Sequence, residues 1–133
     1  MILRARIVLP VTAPPIEDGA VFVEGNKIQA VMPWNDLRPQ AREKALDLGE
    51  VILLPGLVNA HCHLDYTDMA GEIPPPKSFT DWIAAITAYK SSWSYSDYAR
   101  SWLRGAHQLL KTGTTTVADI EAMPDLLPEA WEA

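Results

Sequence analysis

One cysteine, Cys62, stands in 133 residues, so no internal disulfide framework holds this chain together. That usage fits a reducing compartment, and the cytoplasm is the expected location. No apolar run approaches the roughly 20 residues that a membrane helix needs. The opening Met1–Pro10 also lacks the long apolar region and cleavage site of a secretory signal. Insertion into a membrane and export by that route are therefore not expected. Basic residues are few, 11 against 17 acidic for a net charge of −6, and they form no stripe that could track a phosphate backbone. Nucleic acid is therefore not expected as a partner. Repeats and low-complexity stretches are lacking beyond Pro74-Pro75-Pro76. What remains is ordinary globular composition, 48% hydrophobic and 21% charged, sufficient for a packed core.

The first 54 residues read as short strands. Ile2 to Leu9, Ala20 to Glu24 and Lys27 to Met32 carry strand patterning with turn residues between them. Gly25-Asn26 separates two of these runs, a two-residue link that signals a hairpin. Asn35 to Lys44 is polar and predicts at most a short helix, after which Ala45–Leu48 and Val51–Leu54 read as strands broken at Gly49. Residues 1–54 are thus expected to form a small β-sandwich or β-layer. After Pro55-Gly56 the pattern changes. Leu57-Val58-Asn59-Ala60 is apolar without alternation, as in a parallel strand buried on both faces. Phe79, Trp82, Ile83, Ile86 and Tyr89 recur at helical spacing behind Ser78 as N-cap. A second helix is predicted from about Asp97 to Lys111, capped by Ser96 or Ser94 and closed by Gly113, and Thr114–Ile120 is β-branched and strand-like. The order strand, helical segment, strand is a βαβ step. It places the loop from Asp65 to Lys77 at the C-terminal end of the first strand, where α/β barrels keep their chemistry.

Three histidines are present, and two of them are His61 and His63. Residues two apart on a strand share a face, so these imidazoles project together while Cys62 points away as a small buried hydrophobe. Such a pair can chelate a cation, yet a catalytic zinc site takes about three protein ligands and an open position. From spacing alone, two satisfied polar residues at a strand end are an equal reading.

The wider stretch Leu54-Pro55-Gly56-Leu57-Val58-Asn59-Ala60-His61-Cys62-His63-Leu64-Asp65 resembles the first barrel strand of the amidohydrolase superfamily, in particular its cytosine deaminase, chlorohydrolase and nucleoside deaminase branch. Asp18–Ile28 is similar to that family's N-terminal β-domain hairpin, Ser78–Ile83 to its first helix and Leu110–Asp119 to its second strand. The resemblance implies an α/β fold. In it, residues 1–54 are the N-terminal part of a composite β-domain, and residues 55–133 are the first two β/α units of a (β/α)₈ barrel. It also implies a divalent metal, zinc before iron, held by His61 and His63. The metal would activate water for hydrolytic deamination of a small aminated heterocycle or nucleoside. A barrel of this kind takes about 250 residues, so the chain is expected to be an N-terminal fragment, inactive alone and weak in zinc binding. Self-association into a homo-oligomer is left open.

Other residues carry weaker expectations. Trp82 follows the loop above the metal strand and is a substrate-stacking candidate, although its helical spacing with Ile86 favours plain core packing. Asp65 would share the face of His63 if the strand continued, and a loop cap is the alternative. Asp119 ends the second strand, which offers it a place at the barrel mouth, but a cap of a helix or turn is the favoured reading. His107 falls within the second helix as an exposed or core-edge residue. Two rival functions stand beside deamination: cyclic-amide hydrolysis of the hydantoinase and dihydroorotase kind, and a non-catalytic β-rich binding module.

Overall fold

The computed structural model describes residues 1–123, which divide into two compact units, Met1–Pro55 and a second beginning at Gly56. The last ten residues of the expected 55–133 span lie outside the described residues.

The first unit is a single mixed sheet, the β-layer of the two forms expected. Strand β1 (Ile2–Val8) pairs antiparallel with β2 (Ile16–Glu24), and β2 with β3 (Lys27–Pro33). Gly25, at φ 59°, turns the β2–β3 hairpin in the left-handed region that costs glycine nothing. Pro39 opens the short helix α1 (Pro39–Arg42), where its missing N–H is no loss. Strands β4 (Ala45–Asp47) and β5 (Ile52–Leu53) then both join the free edge of β1 in parallel, β4 beside Ile2–Arg4 and β5 beside Ile7 and Val8. Gly49, at φ 75°, makes the break between them. Ala5, Val8 and Val21 form the core, with Ile16, Val23, Val31 and Leu53 packed on it.

The second unit begins with β6 (Leu57–Cys62), passes through helices α2 (Phe79–Lys90) and α3 (Tyr95–Lys111), and returns as β7 (Thr114–Asp119), parallel to β6. Ser78 caps α2 by accepting the Asp81 N–H at 3.1 Å. Of the two candidate caps it is Ser94 that caps α3, its own N–H donating to the Asp97 carboxylate at 2.9 Å, so the helix starts at Tyr95, two residues before the expected Asp97, and Ser96 lies inside it. Gly113 ends α3 at φ 84°.

Two expectations are corrected here. The loop after β6 is not irregular throughout, because Leu64–Met69 forms a 3₁₀ helix. Nor is β6 buried on both faces: Leu57 is 49% and Val58 68% exposed. An apolar run is buried only where layers cover both of its faces, and among the described residues the sole strand partner of β6 is β7. Phe79 and Leu110 are exposed on their helices in the same way. Among the described residues, no helix is long and apolar enough to cross a membrane.

The 3₁₀ helix is held to α3 through small residues four apart. Ser101, fully buried, donates to the Asp65 carbonyl at 2.8 Å and accepts the Asp68 N–H at 2.9 Å. One turn on, Gly105 leaves no room for a Cβ, which would collide with the Thr67 hydroxyl and lie 3.1 Å from the Leu64 carbonyl oxygen. Arg104 and Arg100 close the outer side on the Asp68 carboxylate at 2.7 and 3.2 Å. Gly105→Ala is therefore expected to destabilise the second unit by about 1–3 kcal/mol through overpacking, despite alanine's better helix propensity. Chemical denaturation followed by the amide signals of α3 would check it, and an unchanged or raised midpoint would show that the groove yields.

Candidate metal centre

His61 lies in β6, and His63 stands one residue past its end, at φ −134° and ψ 85°. The backbone there lies just short of the extended region, and the two imidazoles still come to lie side by side. Their ring centroids are 5.1 Å apart in an edge-to-face arrangement. Residue 120, just beyond β7, fixes His63 from two directions. The Ile120 N–H donates to the Cys62 carbonyl at 2.8 Å, and the Ile120 carbonyl lies 2.9 Å from His63 Nδ1. A carbonyl can only accept, so Nδ1 carries the proton and the Nε2 lone pair is left to bind a cation. This is the carbonyl–imidazole arrangement that orients metal-binding histidines.

Asp119, at the end of β7, caps as expected, but across the structure. Its Oδ1 accepts from the Leu64 N–H at 2.9 Å, at the start of the 3₁₀ helix, and its Oδ2 accepts from Trp102 Nε1 at 2.8 Å. Asp65 departs from the expectation that the strand might continue through it. The chain has turned into the 3₁₀ helix, and Asp65 is fully buried, paired with Lys90 of α2. Cys62 is half-buried rather than buried, since β6 is open on its faces, and burial together with the charge of Asp119 pushes its thiol up. His107 is exposed on α3. Among the described residues no three of histidine, cysteine, aspartate and glutamate converge on a point that could hold a metal. His61 and His63 fit a divalent metal in donor type and tautomer, as two ligands of a larger set.

Trp82 is half-buried at the start of α2, edge-to-face with Tyr66 at 6.3 Å and 5.7 Å from the Phe79 ring. With Pro76, Lys77, Ser78 and Phe79 it lines an open hollow of 390 Å³. Both readings of Trp82 stay compatible with that position.

The sequence concealed a polar cluster behind the histidines. The Lys90 ammonium, donating to Asp65 Oδ2, is ringed by Tyr66, Tyr98 and Trp93, whose ring centroids lie 4.3, 4.9 and 5.5 Å away. One signal could have found it: Lys90 falls four residues after the buried Ile86, on the apolar stripe of α2. Asp65 Oδ1 and Glu121 Oε2 are buried without a hydrogen-bond partner. Burial first, and then the charge of Asp65, pushes the Glu121 carboxyl up to about 7. A folded-state value above the unfolded one means that the folded chain favours the protonated acid. Stability from this group is thus full below about pH 4.5, declines as pH rises toward 7 and is gone above it. Allowing for partial exposure, we expect a loss on the order of 1–2 kcal/mol across that window. Glu121→Gln should flatten it in denaturation midpoints measured from pH 5 to 8, and an equal slope in the variant would remove Glu121 as the cause.

Comparison with known proteins bears on the family and the fold. The sequence profile of the amidohydrolase family matches residues 52–131. A 5-methylthioadenosine/S-adenosylhomocysteine deaminase of Nitratidesulfovibrio vulgaris (strain Miyazaki F) is 31% identical over 112 residues, covering 83% of this chain and 25% of the relative. A 5'-deoxyadenosine deaminase of Methanothermobacter thermautotrophicus is 30% identical over 132 residues, covering 92% of this chain and 30% of the relative. Among solved structures, a variant of the Arthrobacter aurescens atrazine chlorohydrolase complexed with zinc and atraton superposes with a TM-score of 0.78. It is 23% identical and covers 98% of this chain and 33% of its own. The Helicobacter pylori aminofutalosine deaminase in complex with methylthio-coformycin also gives 0.78, at 20% identity, covering 99% of this chain and 32% of its own. The chain therefore spans between a quarter and a third of the length of the proteins it matches. The fold is theirs: a β-unit followed by β/α elements of the (β/α)₈ amidohydrolase type.

Proposed function

The chain belongs to the amidohydrolase family, and from that premise we propose that His61 and His63 are two ligands of a divalent metal, zinc before iron, in an enzyme that hydrolytically deaminates an aminated heterocycle or nucleoside. The observation that carries this reading is the tautomer. His63 Nδ1 is committed to the Ile120 carbonyl at 2.9 Å, which leaves its Nε2 lone pair free, and the His61 and His63 ring centroids are 5.1 Å apart. When bound, such a metal supplies an activated water at neutral pH. The chain's own contribution is to hold the imidazoles at the C-terminal ends of β6 and β7, the end at which barrel enzymes react. The remaining donors are not among the described residues.

Residues 1–54 are assigned to a composite β-domain and residues 55–133 to the opening β/α units of the barrel, a division supported by the change of architecture at Gly56. Trp82 is assigned to substrate stacking, supported by its half-exposed ring beside Tyr66 and the open hollow at Phe79. The proposed substrate class is supported by relatives named for adenosine derivatives. A cytoplasmic location is part of the proposal, supported only by the low cysteine usage of the chain. Metal analysis of the intact enzyme that carries this chain together with the remaining barrel strands, joined to an ammonia-release screen over 5'-substituted adenosines and aminotriazines, tests the reading; the 133-residue chain alone is expected to release none. Release by the intact enzyme from at least one adenosine derivative is expected. Ring-opening of cyclic amides without ammonia would replace deamination by the cyclic-amidase reading.

A further inference from the structure

Tyr66 is used by none of the chemistry above, yet it touches both the histidine pair and the buried ion pair. Its ring lies flat on the His63 imidazole, the centroids 4.5 Å apart and the planes 9° from parallel. Its N–H donates to the His63 carbonyl at 3.0 Å, so main chain and side chain are both referred to that histidine. The Lys90 ammonium sits 4.3 Å from the centroid of the same ring. Lys90 is held in turn by Asp65, which is fully buried, and by the rings of Tyr98 and Trp93.

The need for a second restraint follows from the chemistry of an imidazole. One hydrogen bond through Nδ1 fixes an edge of the ring but leaves it free to tilt about that bond. Tilting or flipping lets the proton move to Nε2, and a protonated nitrogen cannot bind a metal. A flat aromatic surface against the ring face opposes the tilt, and a surface pinned by a cation opposes it better than one that can move itself.

We infer that Tyr66 is a positioning residue for His63. Its ring fixes the imidazole plane so that Nδ1–H stays on the Ile120 carbonyl and the Nε2 lone pair stays exposed, and the Asp65–Lys90 pair locks Tyr66 in place. This rests on the reading of His63 as a metal ligand only for its consequence; the restraint belongs to the metal-free chain. The phenol hydroxyl takes no part in it, so phenylalanine serves in its place and an aliphatic side chain does not.

The test is long-range ¹H–¹⁵N correlation of the histidine rings in the metal-free 133-residue chain at a pH of about 8, where histidines are ordinarily neutral. Zinc competition against a chromophoric chelator is measured in parallel. Wild type and Tyr66→Phe are expected to show His63 as a single Nδ1–H tautomer and to bind zinc within twofold of each other. Tyr66→Leu is expected to show averaged tautomers at His63, an unchanged His107 and about tenfold weaker zinc binding, the scale of losses when support of a metal ligand is removed. A merely structural role would lower the denaturation midpoint without moving the tautomer. Should Tyr66→Leu not fold, Tyr66→Met carries the same comparison. A single Nδ1–H tautomer surviving in the aliphatic variant overturns the inference whatever the zinc result. A tautomer that depends on Tyr66 in a wild-type chain that binds no zinc upholds the positioning and defeats the metal reading instead.

Discussion

Replacing His61 and His63 together by alanine is expected to weaken zinc binding by the chain about 100-fold or more, while His107→Ala leaves it within twofold. The scale follows from a comparison of causes. Losing only the hydrogen bond that orients a ligating imidazole costs 10–100-fold in metal affinity as a rule of thumb, about one to three kcal/mol. Losing the imidazole itself removes both the donor and its orientation. His63 should weigh more than His61, because its Nδ1 is held by the Ile120 carbonyl and its face by Tyr66, so less ordering remains to be done on binding. His107 is the fitting control, the third histidine of the chain and exposed on α3. His63→Ala also forfeits one hydrogen bond worth about 1 kcal/mol, so affinities should be read at temperatures well below the denaturation midpoint. Zinc binding by the double variant within threefold of wild type would mean that the cation sits elsewhere, and the centre described here would have to be abandoned.

Legibility in the sequence followed the range of the interactions. The β2–β3 hairpin is written in Gly25-Asn26, and the caps of α2 and α3 in Ser78 and Ser94, because each depends on neighbours within a few residues. The common face of His61 and His63 is likewise a local matter of strand parity. Burial was less legible. The run Leu57–Ala60 has the composition of a covered strand, but coverage depends on which layers are present, and Val58 is 68% exposed. The cluster behind the histidines was illegible for a different reason. Asp65 and Lys90 are 25 residues apart and His63 and Ile120 are 57 apart, and each pair meets only because α2, α3 and β7 fold back on the 3₁₀ helix. A lysine on an apolar stripe and a glutamate two residues past a strand end are weak marks of such a meeting, but they are marks. Read together, they would have pointed to a buried charge in need of a partner.

That partner gives the largest effect on stability. Asp65→Leu is expected to destabilise the second unit by about 3–5 kcal/mol, because it leaves the Lys90 ammonium enclosed without a counter-charge. Asp65 is fully buried and Lys90 8% exposed, so water cannot take over the lost role without opening the packing of α2 and α3 on the 3₁₀ helix. The three aromatic rings around Lys90 soften the loss only in part, since a cation–π contact contributes about 0.5–2 kcal/mol. Against a domain stability on the order of 5–15 kcal/mol, this would place the variant near the edge of folding at ordinary temperatures. The double replacement Asp65→Leu with Lys90→Met should recover most of the loss, because two buried charges exchanged for apolar groups of similar size are often neutral or better. A double-mutant cycle read by hydrogen exchange in α3 and by fluorescence of Trp93 and Trp102 measures the coupling directly. The pair also underlies Tyr66, so the doubly apolar chain should regain stability without regaining the ordered tautomer of His63. Full recovery of both would show that packing alone, and not the ion pair, holds Tyr66 against the histidine. Single and double variants with the same stability would show that Lys90 finds another partner when Asp65 is gone.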